Sequence, residues 1–568
     1  MTEITIHTER VDDIPILFGF IQKMCIQDIL DKLVNSHGNR QGLSIGWLTT
    51  AWLTYIVSES DHRMVEVEDW AKEHIQTLSA LIPKPLDVKD FTDDRLADVL
   101  FWFSKDNTWE EIENHLCQRL VSVYELQAEP KGFPTIRLDS TTASVYHEVE
   151  GNTLFEYGYS KDHRPDLPQF KVMLSSLDPM GLPVATLVLP GGEADDGLYI
   201  PAVIRSRHAL GCNHLYVGDS KMSATDTRAF IQAGGDYYLT PLAGVGGVPE
   251  KIEELLKPVW NREQSLVLVR NDEEETVALG YETIIHNTHQ TVDWDERILV
   301  VYSPSLAKNA RNGLSHRLDN AEKAIQSLTP TRGRGKRQHK DLNSLQSLVR
   351  SIIKKHGVEG LLNVCYISEE EQRTIRGYGD HPRRTEKSVR YVVHVERNEK
   401  AIRKARLIMG WRLYVTNAEV SKLSLSKAVN VFRKLPVIER NFSRLKGRPL
   451  GVHPLYIHRE DHTCGMIRLL SIALRVLTLL EYVVRKELQS SGEILVGLYE
   501  GNPRRQATAP TTERLLKAFG NIHLNIVELA EEKIRHVTPL SALQKHILTL
   551  LSLSPELYEN LELSFDTS

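Results

Sequence analysis

The chain has 568 residues, 41% hydrophobic and 25% charged, with five cysteines and a formal net charge of −6. That length holds roughly three or four domains with ample core, and the composition excludes a disordered, fibrous or low-complexity protein. Cys25, Cys117, Cys212, Cys365 and Cys464 stand singly with no C-x-x-C spacing, which argues against a structural zinc or a disulfide scaffold and suits a reducing cytoplasm.

The first residues, Met1-Thr-Glu-Ile-Thr-Ile-His7, lack the charged and apolar regions of a signal peptide. Residues 1–130 contain 11 Lys and Arg against 23 Asp and Glu, a net of −12. They read as an acidic helical module. Leu43, Ile45, Leu48, Ala51, Trp52, Tyr55 and Ile56 trace one apolar helical face, and further helices are expected over 65–74, 94–103 and 109–126. Two roles fit such a module: docking or oligomerisation, or a cap packed on the rest of the chain.

At Phe133 the period changes. Residues 135–139 read as a short strand, 143–150 alternate, and 171–177 lead through a Pro-Met-Gly turn into 184–189. A helix over 198–210, a strand over 214–218, a helix over 225–233 and a strand over 236–240 follow. Hairpin strands followed by alternating β and α elements predict an α/β fold with a ribonuclease H-like core, its first part over 131–243. Two of its strands end in acids, Ile136-Arg-Leu-Asp139-Ser-Thr-Thr142 and His214-Leu-Tyr-Val-Gly-Asp219. Taken alone, an Asp after a strand is most often a turn or a helix cap, and Thr141 and Thr142 read the same way.

Residues 244–410 read as a mixed strand and helix insertion, with strands over 265–270, 276–281, 298–302 and 391–395 and helices over 319–328 and 344–356. Within it, 303–410 carry 23 basic and 11 acidic residues, a net of +12. Arg332, Arg334, Lys336 and Arg337 lie in its most basic run, which is either a solvated loop or a contact for DNA phosphates. The core is expected to resume over 411–489, with a strand at 411–415 and a helical region over 426–445 that Pro436 kinks or restarts. The apolar stretch 466–488 is interrupted by Arg468, Arg475 and Glu481 and reads as a buried core helix rather than a membrane span. Residues 490–568 are expected to form a helical tail.

Glu439 lies in the run Val437-Ile-Glu-Arg-Asn-Phe-Ser-Arg-Leu-Lys446. Alone it would be a solvated helix residue, but Val437, Ile438, Phe442 and Leu445 indicate partial burial. Carboxylates on two strand ends and one packed helix can converge to hold two Mg²⁺ ions, with Mn²⁺ able to substitute, because these ions are hard and oxygen-seeking. Lys446, two turns beyond Glu439 on the same face, is either a phosphate contact or a surface lysine. Lys161 and Arg164 are phosphate contacts or loop scaffolding.

These residues resemble a known family. The chain resembles bacterial insertion-sequence transposases of the DDE class, in the IS-four superfamily with its Y-(2)-R-(3)-E-(6)-K pattern, and is most similar to the IS-sixteen-thirty-four branch. The resemblance extends over roughly residues 5–560 and includes Gly158-Tyr-Ser-Lys-Asp-His-Arg-Pro-Asp-Leu-Pro-Gln169 and the Gly191-Gly-Glu-Ala-Asp195 turn. It implies that Asp139, Asp219 and Glu439 are the catalytic, metal-binding acids and that Lys446 is the pattern's lysine. Phe432 stands where the pattern has Tyr, and Leu435 where it has Arg. The implied activity is metal-dependent cleavage at an element's terminal inverted repeats and strand transfer into target DNA, by a homodimer in the bacterial cytoplasm that associates with the nucleoid when acting. A nuclease that cuts without joining and a catalytically inactive DNA-binding regulator are the competing readings.

Simultaneous charge reversal at Arg332, Arg334, Lys336 and Arg337 is expected to weaken DNA binding and to flatten its dependence on salt, by a slope of about 0.9 for each phosphate that is no longer neutralised. Binding titrations at a series of salt concentrations measure both.

Overall fold

The computed structural model describes residues 4–563 apart from 35–41, 127–133, 147, 244–247, 331–338, 377, 379–381, 454, 456 and 530–531. The basic run with Arg332, Arg334, Lys336 and Arg337 lies outside the described residues. The strands, in chain order, are β1 (Ile4–Arg10), β2 (Thr135–Ser144), β3 (Gln169–Leu177), β4 (Leu182–Pro190), β5 (Leu215–Gly218), β6 (Tyr237–Pro241), β7 (Val267–Arg270), β8 (Thr276–His289), β9 (Val292–Tyr302), β10 (Leu362–Ile375), β11 (Arg384–Arg397), β12 (Trp411–Thr416), β13 (Leu495–Val496), β14 (Gln506–Ala507), β15 (His523–Leu529) and β16 (Glu532–Val537).

Nine strands form one mixed sheet in the order β4-β3-β2-β5-β6-β12-β9-β8-β7. β2, β3 and β4 are antiparallel neighbours, β5 and β6 run parallel to β2, and β12 turns antiparallel against β6. The parallel steps require crossovers, supplied by the Tyr199–Leu210 and Thr225–Ala233 helices. β2 and β3 are buried along almost their whole length, as expected of strands covered on both faces. The structure is therefore a mixed α/β fold with one large sheet and many helices.

The sheet reaches further than the sequence indicates. β8 and β9 are a long hairpin; the outer half of β8 alternates between partly and fully exposed positions, and in the outer half of β9 only Trp294 and Glu296 are buried, so no apolar period marked it. Through β7–β9 the segment expected as an insertion adds to the sheet itself. The rest of that segment has its own apolar cluster, formed by Leu314, Leu318, Ile325, Leu345, Val349 and Val393 among others. Two corrections concern strands. The expected strand over 143–150 does not extend β2 past Ser144, where its pairing with β3 ends opposite Gln169; residue 147 lies outside the described residues. The expected helical tail contains β15 and β16, and β15 pairs with β1, which joins the two ends of the chain in a three-stranded sheet.

A 32-residue helix, Glu460–Ser491, runs through the largest apolar cluster. Among the described residues no helix is long and apolar enough to cross a membrane. The charged interruptions of the long helix are each neutralised inside the fold. Arg475, with no exposure, pairs with Glu113 at 2.6 Å and donates to the Pro183 carbonyl at 2.9 Å. Arg468 donates to the Phe103 and Ser104 carbonyls at 2.7 and 2.9 Å. Glu481 receives Arg440, Arg444 and Arg485. Gly465 lets the Asp93–Ser104 helix come close, since a Cβ there would lie 2.3 Å from the Leu100 carbonyl oxygen.

Replacing one member of the Arg475–Glu113 pair, as in Arg475→Met, leaves the other charge buried and is expected to destabilise the fold by about 3–5 kcal/mol. The double replacement Arg475→Met/Glu113→Leu is expected to lose less, and chemical denaturation of the two variants against the parent compares them.

Candidate active site

Asp139 sits in the middle of β2, and Asp219 follows the last residue of β5. The two strands are parallel neighbours with Leu138 opposite Gly218, so the next residue of each strand is an Asp. One carboxylate thus lies beside the other at the same level of the sheet. Asp219 also caps a short helical turn by accepting from the Lys221 amide at 2.8 Å, and the Thr240 hydroxyl donates to its carbonyl at 2.6 Å. The turn-cap reading and the functional reading of Asp219 are compatible, because the cap uses one carboxylate oxygen and fixes the direction of the other.

Four more side chains complete the cluster. The Tyr199 hydroxyl donates to Asp219 Oδ1 at 2.6 Å. Burial and then the neighbouring Asp219 hold the Tyr199 hydroxyl well above its ordinary range, so it stays a donor. Lys161 Nζ lies 3.6 Å from Asp139 Oδ1 and 3.9 Å from Asp195 Oδ2. Lys171 pairs with the other oxygen of Asp195 at 2.5 Å. Sequence reasoning gave no role to Asp195, Lys171 or Tyr199. Lys171 and Tyr199 occupy ordinary strand and helix positions, and only the Gly191–Asp195 turn marked their surroundings.

The Asp139 carboxyl is pushed up to about 6, mainly by burial, with Asp219 adding repulsion; Lys161 and the Ser140 amide pull the other way. Two carboxylates in a site with little water favour an added cation for the same reason.

The Pro436–Lys446 helix that carries Glu439 is placed by several contacts. Pro436 occupies its first turn, where a missing N–H is harmless, directly after the Leu425–Arg433 helix. Gly181, at φ +76°, lies so close beneath the helix that a Cβ would come within 2.8 Å of Val437. Asn441 Nδ2 donates to the Gly181 carbonyl at 2.6 Å and to Ser176 Oγ at 3.0 Å. Arg440 and Arg444 reach across to Glu481 on the long helix. Arg137, fully buried on β2, pairs with Asp178 at 2.7 Å and donates to the Val431 carbonyl at 2.8 Å, which ties the strand of Asp139 to the approach to this helix.

Glu439 itself is exposed, and among the described residues its carboxylate makes no ion pair. No group of three His, Cys, Asp or Glu side chains among the described residues is gathered tightly enough to hold a metal ion. The structure therefore brings Asp139 and Asp219 together and leaves Glu439 apart. At the far end of the Glu439 face, Lys446 Nζ lies 2.7 Å from Asp162, the residue after Lys161. Arg164 is exposed and pairs with Asp166 at 2.8 Å. Phe432 is buried and meets Tyr414 edge-on, with ring centroids 4.8 Å apart, and Leu435 packs beside the same apolar cluster. The two departures from the sequence pattern are thus apolar positions under the sheet.

No protein-family model and no curated protein matches the chain. Among solved structures, it is similar to a piggyBac transposase synaptic complex with hairpin DNA, with 10% identity, a TM-score of 0.25, and coverage of 51% of this chain and 58% of that one. The chain thus spans less than two thirds of that protein.

The raised Asp139 carboxyl gives a signed prediction. The folded chain keeps a proton up to about pH 6 that the unfolded chain releases near pH 4, so stability falls as pH rises through that window and stays lower above it. In chelator-containing buffer, Asp139→Asn is expected to be more stable than the parent by on the order of 2 kcal/mol above pH 6, with the gain vanishing near pH 4. Denaturation midpoints across pH measure this.

Proposed function

We propose that the chain is a DNA transposase of the DDE class, related to the IS-four superfamily and its IS-sixteen-thirty-four branch. The observation that carries the reading is the register of β2 and β5, which puts Asp139 and Asp219 on adjacent parallel strands. The strand order β4-β3-β2-β5-β6, antiparallel on one side of β2 and parallel on the other, supports a ribonuclease H-like core. In this reading 131–243 and 411–489 form the core, 244–410 the insertion, 1–130 the N-terminal module and 490–568 the C-terminal tail.

The residues fit a divalent cation. Asp139 and Asp219 offer hard oxygen donors at adjacent strand positions, and the Asp139 carboxyl is raised mainly by burial, with repulsion from Asp219 adding to it. Asp139 and Asp219 would hold Mg²⁺, two ions in the full site with Mn²⁺ able to substitute, and Glu439 is proposed as the third ligand. When bound, such ions ease deprotonation of an attacking oxygen and stabilise the leaving oxygen of a phosphodiester.

The chain's own groups do the rest. The Tyr199 hydroxyl orients Asp219, and the Lys221 amide holds the same oxygen. The contacts of Arg440, Asn441 and Arg444 fix the helix of Glu439 over β2. Lys446 and Arg164, together with the basic run 332–337, are the proposed phosphate contacts, which add affinity without reading sequence. A homodimer holding two terminal inverted repeats and a target duplex is the assembly that strand transfer would need.

The test incubates the protein and Mg²⁺ with labelled DNA carrying the repeats that flank its gene. Cleavage with joined product is expected. Asp139→Ala, Asp219→Ala and Glu439→Ala are each expected to reduce it by more than the roughly 10- to 100-fold typical of residues that only orient a ligand. Cleavage without joining would make the chain a nuclease, and DNA binding with no metal-dependent product would make it an inactive regulator.

A further inference from the structure

The sequence offers Lys161 as a contact for DNA, but the fold directs it inward. Its ammonium lies 3.6 Å from Asp139 Oδ1, and it donates to the Ser140 carbonyl at 2.5 Å and to Ser140 Oγ at 2.9 Å. The surrounding loop is built to hold it there. The Lys161 amide donates to Thr142 Oγ1 at 3.1 Å, and Gln169 Nε2 bridges the Tyr159 and Gly191 carbonyls at 3.0 and 3.1 Å. His163, at φ +58°, turns the chain back immediately afterwards.

Beside this seat there is a second one. Asp195 Oδ2 is 3.9 Å from the same ammonium, while Asp195 Oδ1 is held by Lys171, a buried residue that also donates to the Glu193 carbonyl at 2.6 Å. Acids and lysines thus alternate as Asp139, Lys161, Asp195 and Lys171. An ammonium and a divalent cation repel each other strongly at such distances, so both cannot share one oxygen of Asp139. Asp195, whose Oδ2 is 3.9 Å from the same ammonium, is a second carboxylate that can receive it.

We propose that Lys161 is a built-in counter-ion for Asp139 that competes with the divalent cation and retreats to Asp195 when the cation binds. The proposal rests on the reading of Asp139 and Asp219 as cation ligands. Lys161 is then a positioning residue: it neutralises Asp139 while the site lacks a cation and sets how tightly a cation can bind. Asp195 is its receiver and not a ligand.

Mn²⁺ titration of the full-length, DNA-free protein, followed by the electron paramagnetic resonance signal of the free ion, tests this without any activity assay. Lys161→Met is expected to bind Mn²⁺ on the order of tenfold more tightly than the parent. Asp195→Asn, which removes the second seat, is expected to bind more weakly, and Lys161→Gln guards against a folding defect specific to Met. Asp139→Asn is the control for the site. Asp139-dependent Mn²⁺ binding that Lys161→Met and Lys161→Gln leave unchanged or weaken overturns the counter-ion proposal alone. If no variant shows Asp139-dependent binding, the cation-site reading falls and this proposal with it.

Discussion

β2 has an antiparallel neighbour on one side and a parallel neighbour on the other, and the proposed active site depends on that arrangement. Antiparallel pairing with β3 fixes the level of Asp139 opposite Leu174, and parallel pairing with β5 sets Leu138 beside Gly218. Because side chains alternate along a strand, a shift of one residue in either pairing would send Asp139 to the opposite face. Burial of nearly every position on β2 and β3 makes such a shift expensive. Asp139 is the one position of β2 that is only partly buried.

Buried charge holds the rest of the molecule to that strand. Arg137, two residues before Asp139, joins β2 to the β3–β4 turn through Asp178 and to the end of the Leu425–Arg433 helix through the Val431 carbonyl. Glu481 gathers three arginines, two of them from the helix of Glu439. Arg475 and Glu113 connect the long helix to the N-terminal helices and to β4. Such pairs contribute little net stability relative to apolar replacements, but a half-broken pair is costly, so they make the assembled arrangement specific. The N-terminal helices share the main apolar cluster with the long helix and β4.

The alternation of Asp139, Lys161, Asp195 and Lys171 fits the same logic. In the proposed cation site, two neighbouring carboxylates need compensation whenever no cation is bound. Supplying it from a loop residue, rather than from the sheet, gives a positive charge that can move without disturbing the strands.

By itself the sequence determined the main helices and strands around the acids and the positions of the acids. The helix-to-strand change near Phe133, a strand carrying Asp139 and one ending just before Asp219, the helix break at Pro436 and the core character of the long helix were all legible, but the strand of Asp139 runs on to Ser144 instead of ending at the acid. Each is encoded by local pattern: alternation, turn residues and proline geometry. Only the tertiary structure decided the exposed half of the β8–β9 hairpin, the pairing of β1 with β15, and the continuation of the sheet through β7, because those strands are joined by backbone hydrogen bonds and carry no strong apolar period. It also decided what surrounds the acids. Tyr199, Asp195 and Lys171 lie far from Asp139 or Asp219 in the chain, and no local pattern encodes the direction of their side chains. Phe432 and Leu435, which read as gaps in a pattern, proved to be apolar packing beneath the sheet, since the neighbouring Tyr414 comes from a strand that only folding brings there.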